Sequence, residues 1–342
     1  MPQRRDYIDE LKGLGILLVV LGHFIEQYRM GYSFVSASFF CIYAFHMALF
    51  CICSGLVARF NPRKLVTQQL WLYLVGQTLM LAFRAAVLRE NFAETGGLLA
   101  AWLLPWRHIW YLYALIFWHL TLPVLCRLRD RLGLAGSCLG MALAVGLALA
   151  AGLEDWPFTL VRVFAFYPFY ACGVLLRPQL DRLAAFAAGH RAWEHRPVRL
   201  VAAAGLVLGY GAYFLWVLRA DPIMDHSAEL FHDVSYAGGD RVQYRVVFYL
   251  VGIATTAALT VLASRRHLLA GLGRHTLAIY LLHLPVQALL VELGLYDLMR
   301  GKATIVVVLW SVLLAAVTLA VLNLSPVQRA CDAVANCWYK RK

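Results

Sequence analysis

The chain has 342 residues, of which 62% are hydrophobic and only 15% are charged, and its mean hydropathy is +0.67. Soluble domains are roughly 45–50% apolar and about 25% charged, so this composition excludes a soluble globular enzyme, a disordered chain and a secreted disulfide scaffold. The formal net charge of +12 resides in short basic clusters between apolar runs, where the positive-inside rule places them. Nucleic-acid binding would need a basic face on a water-exposed fold, which this pattern does not provide.

Apolar segments long enough to cross a membrane follow one another along the chain. A span needs about 20 mostly apolar residues, and the approximate segments are 11–28, 36–58, 66–88, 109–126, 132–152, 159–176, 198–218, 245–263, 275–293 and 303–323. One set of alternate loops, together with both termini, holds 20 Lys and Arg residues and the other set holds seven. The sequence therefore predicts an all-α, polytopic integral membrane protein of about ten transmembrane helices, with both termini cytoplasmic. Residues 1–342 are predicted to form a single domain.

The first span carries ionisable residues in a regular pattern. Lys12 and His23 are eleven residues apart, which on a helix leaves them about 20° from the same face and about 16 Å apart along the axis. Asp9 falls about 40° to the other side of that stripe, and Glu26, three residues after His23, is within its reach. Ionisable groups inside a span are expensive and point to function. Each residue taken singly also has a structural alternative. His23 could hydrogen-bond a neighbouring helix, Lys12 could snorkel to the membrane surface, and Asp9 could cap the start of the helix.

Later spans add further candidates. His46 in the second span is predicted at a depth similar to that of His23, as part of a proton relay or an acceptor clamp, or as a satisfied structural histidine. Trp110 and Tyr111 open the fourth span as an interfacial aromatic belt that is also suited to stack a sugar ring. His283, in the ninth span, is a further candidate for substrate binding. Arg84 and Arg162 lie near external span ends, where snorkelling explains them.

Two loops are candidates for local structure. Segment 177–199 is predicted to form an amphipathic turn or helix at the cytoplasmic surface. The external loop 219–244, which is rich in Asp, His and Gly, is a candidate lid or acceptor contact, with plain linkage as the alternative.

Four motifs on successive predicted spans resemble one known family. They are Tyr7-Ile8-Asp9-Glu10-Leu11-Lys12-Gly13 through Gly22-His23, Phe45-His46-Met47 through Ser54-Gly55, Trp110-Tyr111-Leu112-Tyr113, and Tyr280-Leu281-Leu282-His283-Leu284-Pro285. In order and spacing they resemble the membrane-bound acyltransferase-3 family across nearly the whole chain. Within it, the chain is most similar to the short, single-domain type that includes fucose 4-O-acetylase-like and enterobacterial common antigen O-acetyltransferases.

The resemblance implies an enzyme of a bacterial inner membrane that moves an acyl group, usually acetyl, from cytoplasmic acyl-CoA to a hydroxyl of a cell-envelope glycan or glycolipid. His23 matches the catalytic histidine of the family, Lys12 the basic residue eleven positions earlier, and Asp9 the acid before it. Arg59 and Arg63, with Lys64, correspond to cytoplasmic arginines that meet coenzyme A.

The chain departs from the family pattern at two places. Arg59 and Arg63 are four apart, one more than in the usual Arg-x-x-Arg motif. Ala48 stands where many members have proline, and this change is expected to straighten the second helix.

The chemistry of the residues agrees with this implication. A basic rim attracts the phosphates of coenzyme A, and a thioester is already activated, so that no metal is required. Imidazole is suited to take a proton from an acceptor hydroxyl, and His23 acts either as that base or as a carrier of the acyl group.

One alternative is a proton-coupled secondary transporter that uses His23, Glu26 and His46. It predicts paired halves with broken helices, and the sequence has no internal repeat. Another alternative is a membrane sensor or assembly subunit without chemistry.

Overall fold

The structure is a computed structural model that describes residues 6–94, 96–154, 156–189, 196–219, 242–264 and 268–338. The regular structure of these residues is helical, with no strand among them. The main helices are α1 (Asp6–Glu26), α2 (Ser33–Tyr43), α3 (His46–Val57), α4 (Trp71–Ala86), α5 (Gly97–Leu103), α6 (Trp110–Ala151), α7 (Leu160–Leu175), α8 (Arg177–Ala188), α9 (Arg196–Arg219), α10 (Val242–Ala263), α11 (Thr276–Glu292), α12 (Thr304–Leu322) and α13 (Ser325–Ala335).

The helices are those of an all-α, polytopic membrane protein. Five stretches of the described chain are long and apolar enough to cross a bilayer: Ser33–Val57, Arg107–Ala151, Arg196–Arg219, Val242–Ala263 and Thr304–Leu322. The pair α7 and α8, bent by 64° at its junction, is a sixth candidate. Each predicted apolar segment coincides with helix, while the number of ten spans and the cytoplasmic position of the termini stay predictions.

The predicted segment 36–58 is not one straight helix, contrary to the expectation drawn from Ala48. The chain breaks at Ala44 and Phe45, where Phe45 adopts φ −147° and ψ −17°, between α2 and α3. At this break the Nδ1–H group of His46 donates to the Ile42 carbonyl over 2.9 Å, an oxygen that would accept the backbone N–H of His46 in a continuous helix. The side chain thus takes the place of that backbone donor, and the same carbonyl also accepts the backbone N–H of Phe45 over 3.3 Å.

The predicted loop 127–131 between the fourth and fifth segments is also helical. Helix α6 continues through it and turns back at Gly133, which has φ +57° and ψ −129°, a conformation that only glycine adopts readily. The arm after Gly133 then runs beside α7, where the Ser137 hydroxyl donates to the Leu175 carbonyl over 3.1 Å. The two segments are therefore the arms of one helical hairpin.

Helix α3 lies in the core and contacts α1, α7 and α10. Its crossing with α7 is a backbone contact, because a Cβ atom on Gly55 would overlap the Tyr170 carbonyl and the Cα atom of Gly173. Helices α1 and α3 run in opposite directions, which defines two ends of the bundle. We call the end where α1 begins the N-terminal face, and the end where it stops the opposite face.

The two loops singled out from the sequence have different outcomes. In segment 177–199, α8 forms a helix with Leu180, Ala184 and Ala187 buried along one side, as the amphipathic pattern predicts. Of the loop 219–244, residues 220–241 lie outside the described residues, so the prediction of a lid or acceptor contact stays a prediction.

Candidate active site

His23 lies in the last turn of α1 and is held through one ring nitrogen. Its Nδ1 atom is 3.2 Å from the Glu26 carboxylate and 3.0 Å from the Tyr43 hydroxyl. A carboxylate only accepts hydrogen bonds, so the tautomer that satisfies Glu26 carries its proton on Nδ1 and leaves the lone pair on Nε2. The predicted contact between His23 and Glu26 is present, and its geometry is that of a base oriented by an acid.

A neighbouring helix fixes the backbone and ring of His23. The Gln287 side-chain amide donates to the His23 carbonyl over 3.1 Å. His283, one turn earlier on α11, places its ring centroid 5.3 Å from that of His23. His283 is fully buried and donates from Nδ1 to the Ile279 and Tyr280 carbonyls. His283 therefore packs behind His23. It does not line the cavity beside His23, so its predicted substrate-binding role is not supported by its position.

A cavity of about 440 Å³ lies beside His23 at the opposite face. Its lining combines ionisable and aromatic side chains with few aliphatic ones: His23, Glu26, Arg29, Phe39, Tyr43, His46, Met47, Arg107, His108, Trp110, Arg162, Phe166 and Leu284. We call it the outer cavity. Of the predicted site residues it brings together His23, Glu26, His46 and Trp110, whereas Tyr111 lines a different cavity.

The break between α2 and α3 places two of these residues at the outer cavity. Tyr43 is the last residue of α2 and His46 the first of α3, and their ring centroids are 4.6 Å apart. Because the Nδ1–H group of His46 is used by the Ile42 carbonyl, His46 stabilises the break and presents its remaining ring atoms to the cavity.

Lys12 and Asp9 lie near the other end of α1, away from the outer cavity. Lys12 Nζ is 3.9 Å from the Asp9 carboxylate, which is also 3.9 Å from the Arg274 guanidinium. The next residue, Glu10, accepts a 2.8 Å hydrogen bond from the backbone N–H of Leu269. The acidic start of α1 therefore anchors the segment before α11. Lys12 lines a cavity toward this end of the bundle, and Asp9 is not among the described residues that line that cavity.

Two adjoining cavities lie toward the N-terminal face. One, of about 250 Å³, is lined by residues that include Lys12, Tyr111 and Tyr280. The other, of about 540 Å³, includes Arg59 and Lys64. The two share the lining residues Ser54, Gln69 and Leu115, and we call them together the inner cavities. Arg63, predicted with Arg59 and Lys64, is exposed and does not line them.

Four rings separate the inner cavities from the outer one: Tyr111, Tyr280, His108 and His283, which we call the aromatic partition. The centroid distances are 5.6 Å between the two tyrosines, 5.2 Å between Tyr280 and His108, and 5.1 Å between His108 and His283. The Tyr280 hydroxyl donates to the His108 carbonyl, and the Tyr111 and Ser54 hydroxyls are hydrogen-bonded to each other. The partition is thin, because Tyr280 lines an inner cavity while His108, in contact with it, lines the outer one.

Sequence reasoning missed several residues of this site. Tyr43, Gln287, Arg29 and Arg107 were not among the candidates. A signal existed for Gln287, which is a polar residue inside an apolar span and lies one helical turn after His283. Tyr43 gives no such signal, because the helix break that places it is not visible in the residue pattern.

The histidine-rich centre contains side chains of the type that bind metal ions. Within the described parts of the chain, no three His, Cys, Asp or Glu side chains are arranged to hold a metal ion. His46, His108 and His283 each direct one ring nitrogen to a backbone carbonyl.

Comparison with known protein families identifies the family of the chain. Residues 5–325 match the acyltransferase domain that defines the acyltransferase-3 family. The chain belongs to the acyltransferase-3 family. The match covers helices α1 to α12 together with all the predicted site residues, and it confirms the resemblance drawn from the four motifs. This acyltransferase-3 protein is therefore a membrane acyltransferase, and the assignment favours acyl transfer over proton-coupled transport. No curated protein and no solved structure matches the chain.

Proposed function

We propose that this acyltransferase takes an acyl group, usually acetyl, from acyl-CoA at the N-terminal face and delivers it to a hydroxyl of a glycan or glycolipid at the opposite face. The observation that carries the proposal is the pair of separate compartments. Basic residues line the inner cavities, His23 with its acid lines the outer cavity, and the aromatic partition lies between them. In a bacterial cell the N-terminal face would be the cytoplasmic side of the inner membrane.

The inner cavities are suited to the donor. Arg59 and Lys64 stand where the chain leaves α3, and cationic side chains bind phosphate groups through charge-assisted hydrogen bonds. Lys12 lies further along the same connected space. A nucleotide held at Arg59 and Lys64 would extend its pantetheine arm past Ser54 and Gln69 toward the partition.

The aromatic partition is where the thioester would pass to His23. The tyrosine and histidine rings contact one another edge to face or tilted, and such contacts contribute only about 0.5–1.5 kcal/mol each beyond the burial of area. A small rotation of Tyr280 would open a path for an acyl chain while the larger nucleotide stays outside. A path between these rings would favour acetyl over longer acyl groups.

The reaction at His23 moves one proton and exchanges one bond. The acceptor hydroxyl gives its proton to Nε2 while its oxygen attacks the thioester carbonyl carbon. The carbon–sulfur bond then breaks, and the departing thiolate takes up the proton to give coenzyme A and the O-acyl ester. Glu26, at Nδ1, stabilises the positive charge that the imidazole carries between these steps. The chemistry needs no metal, because a thioester is already activated. Nε2 is also the atom that would hold the acyl group if transfer went through an acyl-histidine.

Donor binding and chemistry are tested separately in detergent-purified protein. Acetyl-CoA is titrated calorimetrically into the wild type, Arg59→Ala, Arg63→Ala and His23→Ala, with Arg131→Ala as the control for an exposed arginine of the same face. We expect saturable binding that Arg59→Ala weakens about tenfold. Arg63→Ala is expected to weaken it less, because of these two arginines Arg59 lines the inner cavities and Arg63 does not. His23→Ala retains donor binding and loses acetyl transfer.

The same preparations distinguish the two chemical routes and the rival functions. Rapid denaturing quench at neutral pH with radiolabelled acetyl-CoA and no acceptor is expected to leave label on the wild type that His23→Ala lacks if His23 carries the acyl group, and no such difference if His23 acts as a base. Failure of the folded wild type to bind acetyl-CoA would overturn the proposal. Acetyl transfer that survives in His23→Ala would remove His23 from the chemistry.

A further inference from the structure

The outer cavity is strongly cationic. Three arginines from separate segments line it: Arg29 in the turn after α1, Arg107 in the turn before α6, and Arg162 in the first turns of α7. Among the described residues that line it, Glu26 is the one carboxylate, and it is engaged by His23. A ligand that fills this space therefore meets more positive than negative charge.

Each guanidinium is held against an aromatic ring. The Arg29 Cζ atom lies 4.8 Å from the Phe39 ring centroid, Arg107 lies 5.4 Å from that of Trp106, and Arg162 lies 5.4 Å from that of Trp110. Stacking uses the flat face of a guanidinium, whereas its N–H donors lie in the plane and match the two oxygens of a carboxylate or phosphate. The rings next to Arg29 and Arg107 thus contact these side chains without using their hydrogen-bonding edge.

Other arginines near the opposite face have a different environment. Arg84 makes a two-bond ion pair with Glu90 at 2.5 and 2.7 Å, and Arg300 pairs with Asp297 at 2.6 Å. Neither Arg29 nor Arg107 has a carboxylate within 4 Å among the residues that the structure describes. Membrane-interface snorkelling would explain a scattered set of arginines, but it does not explain their convergence on one cavity beside the reactive histidine.

We infer that the acceptor carries an anionic group, a carboxylate or a phosphate, close to the hydroxyl that is acylated. This inference rests on the proposed function, because it takes the outer cavity as the acceptor site. The arginines bind the anion, Trp110 and Phe166 provide flat apolar surface for the sugar ring, and the neighbouring hydroxyl is left facing His23. The cavity volume of about 440 Å³ lies in the range of small-ligand sites. An acidic sugar and a sugar phosphate supply the same chemistry.

Three probes of similar size test the inference: methyl glucoside is neutral, methyl glucuronide carries a carboxylate, and glucose 1-phosphate carries a phosphate. Each is titrated into purified protein in lipid nanodiscs that hold no anionic lipid, and acetyl-CoA is titrated into the same preparation. We expect at least one anionic probe to bind about tenfold or more tightly than the glucoside. The relative affinities of the glucuronide and the phosphate distinguish the two sources of the anion.

Variants assign the effect to the arginines. The double variant Arg29→Gln/Arg107→Gln is expected to remove most of the anion preference, about tenfold or more. It retains the affinity for acetyl-CoA, which reports that the bundle is folded. Arg300→Gln, an exposed arginine of the same face, is the matched control and is expected to retain the preference.

The two proposals fail in different ways. If acetyl-CoA binds and the three probes bind equally, or none binds, the anionic acceptor is wrong while the acyltransferase proposal stands. An equal loss in Arg300→Gln and in the double variant would show a general surface-charge effect and overturn the inference as well. If acetyl-CoA itself does not bind, the proposed donor chemistry fails.

Discussion

Neutralising Glu26 is the sharpest test of the chemistry at His23. The change Glu26→Gln keeps the shape of the side chain and an oxygen that can accept the Nδ1 proton, but it removes the negative charge 3.2 Å from the ring. Two unit charges at that separation attract by about 5 kcal/mol at an effective dielectric constant of about 20. The side chains of His23 and Glu26 are 20% and 36% exposed, so water screens the pair, and about half of that energy is a reasonable figure.

The expected loss falls on the chemical step. If the imidazole becomes cationic only during the reaction, removal of about 2–3 kcal/mol lowers kcat by about 30- to 150-fold. Donor affinity is unchanged, because Glu26 does not line the inner cavities. Tyr43→Phe removes one neutral hydrogen bond at the same nitrogen and costs about 1 kcal/mol, which corresponds to a loss of about fivefold.

The assay measures acetyl-CoA turnover at saturating donor together with the calorimetric affinity for acetyl-CoA. Glu292→Gln is the matched control, because it makes the same chemical change at an exposed residue that ends α11. If Glu26→Gln turns over within threefold of the wild type, or loses no more than Glu292→Gln, the carboxylate does not stabilise the imidazolium and the reasoning is refuted. A loss that appears wholly in donor affinity would refute it as well.

Three other perturbations have defined outcomes. Gly55→Ala forces α3 and α7 apart and is expected to destabilise the protein by about 1–3 kcal/mol, measured as a lower thermal midpoint. Gly146→Ala is the control: open space surrounds Gly146, so this change leaves the midpoint unchanged or raises it slightly. The Arg84 guanidinium holds the pKa of Glu90 below its usual value of 4.5, so their ion pair stabilises the fold above that pH and is lost as the pH falls below it. Glu90→Gln should therefore lower the midpoint near pH 6, and its difference from the wild type should shrink as the pH falls below 4.5 through the lowered pKa of Glu90. A difference that stays constant with pH would contradict this. Tyr280→Phe removes the hydroxyl that links Tyr280 to His108 within the aromatic partition. We expect acceptor-independent hydrolysis of acetyl-CoA to rise several-fold, measured as released coenzyme A. An unchanged rate would mean that the hydroxyl does not close the path.

The sequence predicts the helical elements well and the break within one of them badly. Apolar runs separated by basic clusters correctly predict an all-α membrane protein, because hydrocarbon tolerates only a backbone that satisfies itself. The break at Ala44 and Phe45 has neither proline nor glycine at its centre, and it is stabilised by a side chain, His46, that the residue pattern presents only as a candidate ligand. A periodicity argument follows the spacing of apolar residues and does not identify a side chain that bonds a backbone carbonyl.

The candidate site shows the same division. The spacing within α1 correctly predicts that Glu26 reaches His23, since both lie on one helix. By contrast, the prediction that snorkelling to the membrane surface explains Arg84 is wrong, and for Arg162 the same prediction is incomplete. Arg84 is almost fully buried against Glu90, and Arg162 lines the outer cavity. Charge and position along a span do not specify a partner that lies on another segment.

Four histidines surround the centre of this protein, and their hydrogen bonds distinguish their roles. His46, His108 and His283 are buried, and each directs one ring nitrogen to a backbone carbonyl, which fixes the ring but supplies only the partial charge of a dipole. His23 is partly exposed to the outer cavity, and its Nδ1 atom faces a carboxylate. A base must reach its substrate and must be stabilised while it is cationic. Among the described residues His23 alone of these four meets both conditions, which is the physical reason to assign the proton transfer to it and structural roles to the other three.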